Sequence, residues 1–484
     1  MQNVYKDCYA MDRRCYEELL LTEDILMEHA ALGMAEHIFQ KFPKYEDGDS
    51  LKSIKTVLIV AGPGNNGADG IALARLLFGF YKVKLYLPFG LKSQMAKKQF
   101  ERIKNLNIEV VSMVDSADII VDAIYGAGLS RALNEETQKL LVEMKMQNAY
   151  CVACDIPTGL DIEGNPTPQA FYADTTITMG AYKEALYGDY AKEYVGKIVR
   201  VDLGVHHYGY IQGSKHSARV LEKKDLLLPS RDLMKVSHKG TFGHAAVFCG
   251  EKEGAGIIAG MASARFGAGL TTLVVHENIT PPPYLMHATV VPDNATALAI
   301  GMGLGGYFEH EFLQKYVLDS HLPIVLDADA FLSVELLSIL EQKDREIVIT
   351  PHPKEFVIMW KLLTGEELTV VEVQSRRFEM VRMFNAQYPH VTLLLKGANT
   401  LIMQEEKLYI NPLGCSKLSK GGSGDVLSGL IVALLAQGYT GLDAVIQASL
   451  ALVTATHLYE GSSYAMLPTD IIDEVAKLEG LVGL

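Results

Sequence analysis

The segment Lys420-Gly421-Gly422-Ser423-Gly424-Asp425 places three glycines within four positions and ends with a carboxylate. Glycines let a backbone approach a ligand closely and present its N–H groups to an anion. An apolar run of helical length, 426–435, follows, and the start of a helix favours negative charge. The pattern is typical of a phosphate-binding loop in which Asp425 takes a proton from an approaching hydroxyl. A capped Gly-rich turn has the same appearance, so the segment alone leaves both interpretations open.

A second glycine loop, Gly62-x-Gly64-x-x-Gly67, lies between a predicted strand at 56–61 and a predicted helix at 71–80. It matches the dinucleotide-binding fingerprint in sequence and in context. The fingerprint also requires an acidic residue about 20 positions further on, where this chain has Leu87-Pro88-Phe89-Gly90. This difference argues against an ordinary NAD-binding domain.

Polar residues gather at the ends of several predicted strands of the first half. Because ligands bind beyond the carboxyl ends of parallel strands, we expect these residues to face one crevice. A single strand-end Asp is often a helix cap, but several such loops on one rim favour a site. The oxygen ligands suit a hard cation rather than zinc, and a carboxylate beside them can act as acid or base. The residues are Asn65, Asn66, Asp69, Asp122, Asp155 and Thr158.

The second half has no Gly-x-x-x-x-Gly-Lys-Ser/Thr loop, which argues against a Walker-type ATPase. Its strand ends carry Gly301 to Gly306, Asp327 to Asp329, Thr350 to Glu355 and Lys396 to Thr400. His352 and Glu355 have the spacing of half a metal site, but no His-rich partner segment accompanies them, so a hydrogen-bonding histidine is favoured. Lys396 is a candidate phosphate contact or a solvated loop lysine.

Strand-like and helix-like runs alternate along both halves, which predicts two α/β domains with parallel sheets. Residues 9–42 read as helix. The stretch 205–236 lacks periodicity and holds the expected boundary, so the domains are predicted at 1–210 and 220–484. The second is larger and ends in long helices.

Composition narrows the class of protein. The chain has 484 residues, a net charge of −14 and no concentrated basic face, so nucleic-acid binding is not expected. Residues 1–14 do not form a secretory signal, and no run approaches the roughly 20 apolar residues of a membrane span. Six dispersed cysteines do not suggest a disulfide framework, and Cys151-x-x-Cys154 lies in a predicted strand. We expect a cytoplasmic protein with no membrane partner.

The first-half motifs resemble the NAD(P)H-hydrate epimerase (YjeF N-terminal) family, a Rossmann-like three-layer α/β sandwich. The resemblance implies that the hydrated nicotinamide dinucleotide is held by two loops, and that Asp155 contacts it as the acid or base. It also implies a potassium ion at Asn66, Asp122 and Thr158. The loops comprise Asn65, Asn66, Gly67, Ala68 and Asp69, and Gly126, Ala127, Gly128, Leu129, Ser130, Arg131 and Ala132.

The second-half motifs resemble the ribokinase-like superfamily, and within it the ADP/ATP-dependent NAD(P)H-hydrate dehydratases. The signatures are Ser237 to Gly243, Gly301 to Gly305, Leu326 to Ala330, Thr350 to Glu355 and Lys420 to Asp425. The resemblance implies that the hydrate contacts Ala255, Gly303, His352 and Asp425. It implies that the nucleotide, expected to be ADP with Mg²⁺, contacts Lys396, Gly397, Ala398, Asn399, Thr400 and Gly424.

The two resemblances together imply a bifunctional repair enzyme, which we expect to be a homo-oligomer. Its first domain would interconvert the R and S hydrates of NADH and NADPH. Its second would dehydrate the S form at the expense of ADP, giving AMP and phosphate. The alternatives are a ribokinase-like small-molecule kinase with an accessory domain, and a first domain that only binds its ligand.

Overall fold

The computed structural model describes residues 1–44, 54–129, 131–231, 236–277 and 279–478. The chain divides into two compact units, residues 3–218 and residues 1–2 with 219–484. Both units are built from parallel strands and helices, so the predicted α/β fold class with two domains is confirmed.

The first unit alternates strands with helices over most of its length. Its strands are β1 (Gln2–Tyr5), β2 (Thr56–Ala61), β3 (Lys82–Tyr86), β4 (Glu109–Val111), β5 (Ile119–Ala123), β6 (Tyr150–Cys154), β7 (Thr175–Met179), β8 (Tyr182–Lys183) and β9 (Lys197–Val201). Its helices are α1 (Tyr9–Glu17), α2 (Glu23–Lys41), α3 (Asn65–Leu77), α4 (Gln94–Ile103), α5 (Glu135–Lys145) and α6 (His207–Ile211).

The main sheet of this unit has the order β4-β3-β2-β5-β6-β7-β9, and its strands are parallel. The central strands are continuous apolar runs because helices cover both faces. The strand order reverses between β2 and β5, so the loops that follow these two strands diverge and leave a crevice at their carboxyl ends. Cys154 is buried and Cys151 half-buried, both as free thiols.

The second unit is larger. Its strands are β10 (Ala218–Val220), β11 (His244–Cys249), β12 (Leu270–Val275), β13 (Met286–Ala288), β14 (Ala297–Ile300), β15 (Ile324–Leu326), β16 (Ile347–Ile349), β17 (Thr392–Leu395), β18 (Thr400–Gln404) and β19 (Lys407–Asn411). Its helices are α7 (Glu253–Arg265), α8 (His310–Leu313), α9 (Val334–Leu337), α10 (Pro353–Thr364), α11 (Val370–Ser375), α12 (Arg377–Gln387), α13 (Ser423–Ala436), α14 (Gly441–Leu458) and α15 (Pro468–Val475).

The strands of the second unit pair in the order β13-β12-β11-β14-β15-β16-β17-β18-β19-β10. They are parallel from β13 to β17, after which β18 and β19 form an antiparallel hairpin. Here the reversal falls between β11 and β14, which places the loops at Gly250 and Gly301 beside each other. The chain's single tryptophan, Trp360, lies in α10 and is 1% exposed.

The core of the second unit is formed by α7, α13 and α14, whose small residues allow close approach. A Cβ on Gly429 of α13 would stand 2.2 Å from the carbonyl oxygen of Ala259 in α7. Helix α14 is long and apolar enough to cross a membrane by length and composition, which the sequence analysis did not expect. However, 78% of it is buried inside the protein, as in the core helix of a soluble protein.

The helix expected over 9–42 is interrupted. It is two helices, α1 and α2, because Leu20 takes a left-handed conformation at φ 57°. The hairpin β18–β19 was not expected either. Its turn residues, Glu405 and Glu406, have φ of 48° and 62°, a conformation for which Asn-Gly is the usual sequence signal.

We predict that Gly429→Ala destabilises the second unit by about 1–2 kcal/mol. Helix propensity favours alanine by up to about 1 kcal/mol, but overlap with a backbone oxygen costs roughly 1–3 kcal/mol. The control is Gly254→Ala in α7, where a Cβ meets nothing within 4 Å and the change should be neutral or stabilising. Urea unfolding of both variants tests this, and equal stabilities would contradict the packing argument.

Candidate functional site

A cavity of about 690 Å³ opens at the carboxyl ends of β2 and β5 in the first unit. The predicted residues that line it are Asn65, Asn66, Asp69, Gly126, Ala127, Gly128, Leu129 and Asp155. Gly67 and Ala68 are buried beside it in α3, whereas Arg131 and Ala132 are exposed and do not line it. Ser130 lies outside the described residues. Four of the six strand-end residues therefore lie on one cavity as expected, whereas Asp122 and Thr158 do not line it. Among the described residues of the 126–132 loop, those at 126–129 line the cavity.

The glycines of the first loop serve close packing. A Cβ on Gly62 would stand 1.9 Å from the carbonyl oxygen of Ile124, and a Cβ on Gly67 would stand 1.9 Å from that of Gly62. Any side chain at these two positions would separate α3 from the β2 and β5 loops. The match to the dinucleotide fingerprint thus reflects the tight joining of strand and helix.

Asp155 is fixed in an uncommon backbone conformation by four hydrogen bonds. Its φ is 68°, a value that side-chain-bearing residues rarely adopt, and its own N–H donates to the Ile177 oxygen at 2.8 Å. Its Oδ1 accepts from Lys183 Nζ at 2.6 Å, from Met179 N at 3.1 Å and from Thr178 Oγ1 at 3.2 Å. Its Oδ2 faces Gly126 in the cavity wall. One oxygen is therefore committed to protein donors, and the other is directed at the ligand space.

Lys183 is a cavity residue that the sequence analysis missed. Its side chain is 4% exposed, and it lies in β8, which β1 fixes through the pair Tyr5–Lys183. Burial lowers its pKa, but Asp155, Cys8 and Asp12 together outweigh burial and raise the pKa. Lys183 is consequently a cation bound directly to Asp155. Its position four residues beyond the end of β7 is the one sequence feature that could have pointed to this site.

Further carboxyl groups surround the same cavity. Burial raises the pKa of Asp69 well above its usual range, and the neighbouring Asp155 and Asp12 raise it further. Burial also raises the pKa of Asp12, although Tyr210 Oη donates to its Oδ1 at 2.7 Å. The cavity thus holds one carboxylate paired with a lysine and two carboxyl groups whose pKa values are raised. Carboxyl groups in such different environments suit proton transfer.

Asp122 and Thr158 lie behind this cavity and bind each other. Asp122 accepts from Thr158 N at 2.8 Å and from Thr158 Oγ1 at 2.7 Å, and that hydroxyl also accepts from Tyr125 N at 2.9 Å. Asp122 is fully buried, and burial raises its pKa to about 6 despite these hydrogen bonds. A monovalent cation at this point would relieve the cost of a buried carboxylate.

Asn66 supplies an amide oxygen beside Gly126, in the loop that follows Tyr125. Its Oδ1 lies 2.9 Å from where a Cβ on Gly126 would stand, while its buried amide nitrogen has no hydrogen-bond partner among the described residues. The donor set of amide, carboxylate and hydroxyl oxygens therefore fits a hard cation such as potassium.

In the second unit, the Gly-rich segment begins α13. Gly422 is the N-cap residue at φ 95°, and Asp425 occupies the third position of the helix. The first N–H groups of a helix lack intrahelical acceptors, so this turn can receive an anion. Burial and the charge of Asp327 raise the pKa of Asp425 and Lys396 lowers it, with a net value of about 6. Asp425 is thus poised to take a proton near neutral pH.

Lys396 is bound to a carboxylate in the core of this site. Its Nζ lies 2.6 Å from Asp327 Oδ1, and the side chain of Asp327 is 2% exposed. Ala328, the residue after Asp327, has a left-handed φ of 47°. The ammonium also lies 3.3 Å from where a Cβ on Gly424 would stand. The ends of β15 and β17 therefore meet the first turn of α13.

His352 is the N-cap of α10. Its Nδ1 accepts from Glu355 N at 3.1 Å, and Glu355 Oε2 accepts from His352 N at 2.8 Å, which together form a capping box. Because Nδ1 accepts, Nε2 carries the proton, and it lies 3.2 Å from Glu355 Oε1. Among the described residues, no group of three or more His, Cys, Asp or Glu could hold a metal ion. His352 thus makes its hydrogen bonds within the capping box, and its role toward a ligand stays a prediction.

The remaining predicted positions form the rim of this site. Ala255 lies in the first turn of α7, and a Cβ on Gly303, where φ is 61°, would stand 3.2 Å from its side chain. Gly397 and Ala398 are exposed, Asn399 is buried, and Thr400 begins β18. A separate cavity of about 420 Å³ adjoins Glu251, Gly305 and Asp329.

Comparison with known proteins gives matches over both units. Residues 23–185 match the family described as YjeF-related protein N-terminus, and residues 245–477 match the family described as NAD(P)H-hydrate dehydratase. Bifunctional NAD(P)H-hydrate repair enzymes from Helicobacter pylori and Escherichia coli are 38% and 32% identical. The first alignment covers 99% of this chain and 100% of the relative, and the second covers 87% and 84%.

Solved structures are also similar. The ADP/ATP-dependent NAD(P)H-hydrate dehydratase from Bacillus subtilis, co-crystallised with ATP and Mg²⁺, is 26% identical with a TM-score of 0.45. The alignment covers 54% of this chain and 96% of the Bacillus subtilis chain.

We predict that Lys183→Met destabilises the first unit by roughly 3 kcal/mol, because it leaves the largely enclosed Asp155 carboxylate without its cation. Adding Asp155→Asn should recover much of the loss. The matched control is Lys84→Met: Lys84 is also buried, but its partner Asp115 is 44% exposed, so about 1 kcal/mol or less is expected. Urea unfolding followed by circular dichroism measures all three, and equal losses at the two lysines would contradict the prediction.

Proposed function

The chain belongs to the family of bifunctional NAD(P)H-hydrate repair enzymes, and on this premise we propose how its residues divide the work. Residues 1–210 interconvert the R and S hydrates of NADH and NADPH. Residues 220–484 dehydrate the S form at the expense of ADP, giving AMP and phosphate. The observation that carries the proposal is that each unit directs one carboxylate, Asp155 or Asp425, at the carboxyl ends of its central strands.

Dehydration has to overcome a poor leaving group, because hydroxide does not depart readily. Asp425 removes the proton of the hydrate hydroxyl as its oxygen attacks the terminal phosphorus of the nucleotide. The N–H groups of residues 422–425 stabilise the charge on the transferred phosphoryl group. Phosphate then leaves from the ring carbon while the adjacent carbon loses a proton, and the double bond is restored.

The hydrate and the nucleotide approach Asp425 from different loops. Ala255, Gly303 and His352 form the side proposed for the hydrate, and Gly424 with the loop Lys396, Gly397, Ala398, Asn399 and Thr400 forms the side proposed for the nucleotide. Mg²⁺ enters as the nucleotide complex, since phosphate oxygens are its preferred ligands in such sites.

Epimerisation inverts the carbon bearing the hydroxyl, which an acid or base assists by moving the proton of that hydroxyl. Asp155 is proposed as the base through its free Oδ2. Lys183 does not compete for that oxygen, because it binds Oδ1. Asn65, Asn66, Asp69 and residues 126–129 would hold the hydrated ring.

Potassium is proposed at Asn66, Asp122 and Thr158. The ion would supply a fixed positive charge beside the bound dinucleotide. The three residues provide oxygen donors only, and a cation would offset the cost of burying the ionised carboxylate of Asp122. A homo-oligomeric state and a cytoplasmic location stay predictions.

Separated R and S hydrates test the division of labour. With ADP, the wild-type protein should restore NADH absorbance from the S hydrate and release AMP. Asp425→Asn should abolish dehydration and leave epimerisation intact, whereas Asp155→Asn should do the reverse. Each loss should be at least about 100-fold, the usual contribution of a positioned acid or base.

Three results would contradict the proposal. Loss of both activities in either variant would exclude independent sites. No recovery of NADH with ADP or ATP would exclude dehydration, and a stable phosphorylated product would indicate a small-molecule kinase. Epimerisation that persists in Asp155→Asn would leave the first unit as a binding module.

Potassium should stabilise the protein above pH 6 and lose this effect below it. The pKa of Asp122 is raised to about 6, so without a cation stability falls as pH rises from about 4 to 6, and the cation binds only the ionised form. Melting temperature in potassium chloride should exceed that in tetramethylammonium chloride at pH 8 but not at pH 5. Asp122→Asn should show no difference at either pH; a response that survives in this variant places the ion elsewhere.

A further inference from the structure

Asp327 is a junction between three elements of the second unit. Its Oδ1 accepts from Lys396 Nζ at 2.6 Å and from Ala328 N at 2.9 Å, and its Oδ2 accepts from Ser428 Oγ at 2.7 Å. The residue is 1% exposed. A carboxylate this deeply buried depends on all three donors, because removing a charge from water costs several kcal/mol.

The contact with Ser428 ties this junction to the proposed base. Ser428 follows Asp425 by three residues on α13, so the two side chains lie one turn apart on the same helix face. Gly424 adds a second link: a Cβ there would stand 3.3 Å from Lys396 Nζ and 3.8 Å from Asp327 Oδ2. The first turn of α13 therefore rests directly on the ion pair.

A buried arginine holds the other side of the ion pair in place. Arg377, 3% exposed, donates to the carbonyl oxygens of Leu395 at 3.1 Å, Lys396 at 3.0 Å and Asn399 at 3.2 Å. These bonds fix the backbone from which Lys396 extends. The lysine thus reaches Asp327 from a rigid support.

We propose that Asp327 and Lys396 are a positioning pair for Asp425, and that the ammonium of Lys396 serves this carboxylate rather than a nucleotide phosphate. The proposal rests on the dehydration chemistry assigned above. It refines that assignment, because the nucleotide would meet the backbone of residues 397–400 and the first turn of α13, not the lysine side chain. The pair fixes both the place of Asp425 and the charge around it.

Asp327 and Lys396 shift the pKa of Asp425 in opposite directions. The charge of Asp327 raises the pKa of Asp425 beyond the effect of burial, and Lys396 lowers it. Other charged groups nearby are Glu355 and His352 at the start of α10, which bind each other, and Lys420, whose ammonium donates to the Tyr464 oxygen at 3.2 Å. Apart from burial, the charges that shift the pKa of Asp425 are consequently those of the pair itself.

Opposite charge changes should move the pH dependence of dehydration in opposite directions. Lys396→Met leaves Asp327 uncompensated, so the acidic limb of kcat/KM for the S hydrate should move to higher pH. Asp327→Asn leaves the lysine charge, so the limb should move to lower pH. A shift of about half a pH unit or more in each is expected, with KM for ADP within about threefold of wild type.

Two further variants keep the test decisive. Ser428→Ala breaks a hydrogen bond of the same junction without changing charge, so it should lower kcat and leave the acidic limb in place. The double variant Lys396→Met/Asp327→Asn removes both charges and should return the limb to the wild-type position. If Asp327→Asn does not fold, the double variant takes its place in the comparison with Lys396→Met.

The outcomes separate this proposal from the proposed function. Lys396→Met with KM for ADP raised about tenfold or more and an unmoved limb would assign the ammonium to the nucleotide and overturn the pair. Shifts in the same direction in both single variants would overturn it as well. A wild-type protein that dehydrates neither hydrate would instead overturn the dehydration chemistry itself.

Discussion

A lysine paired with a strand-end aspartate, one member of the pair being buried, occurs in each unit, and the candidate sites depend on it. Lys183 lies 2.6 Å from Asp155, and Lys396 lies 2.6 Å from Asp327. Neither charge could stay buried alone, because desolvation would exceed what the remaining hydrogen bonds return. Each pair sits where a residue takes a left-handed backbone conformation, Asp155 itself or Ala328 after Asp327. Strain and charge are thus concentrated at the same strand ends, where the surrounding sheet can hold them.

The two ion pairs differ in which oxygens of the aspartate remain free to contact a ligand. Asp155 keeps one oxygen for the cavity, so the aspartate of the pair faces the ligand space. Both oxygens of Asp327 are occupied, so its effect must pass through Ser428 and Lys396 to the neighbouring helix. The same interaction would therefore serve the proton transfer proposed for the first unit and the placement of Asp425 proposed for the second.

Much of this arrangement could be read from the sequence, because buried parallel strands are unbroken apolar runs and their carboxyl ends meet on one rim. That reasoning brought Asn65, Asp69 and Asp155 to one cavity and Asp425 to the start of α13. It could not find Lys183, whose place depends on a two-residue strand paired with the first strand of the chain. It also missed the turn at Glu405–Glu406 and the helix break at Leu20, since neither carries the glycine that such backbone usually requires.

The position of Trp360 has an experimental consequence. It is the single tryptophan of the chain, it is 1% exposed in α10, and its indole N–H donates to Glu366 at 2.9 Å. Since α10 begins at His352, the ring lies on the helix that borders the proposed dehydration site. Indole fluorescence therefore comes from the second unit alone, whereas the far-ultraviolet signal comes from both. The unfolding of the second unit can therefore be distinguished from that of the first in a single sample, without an added dye.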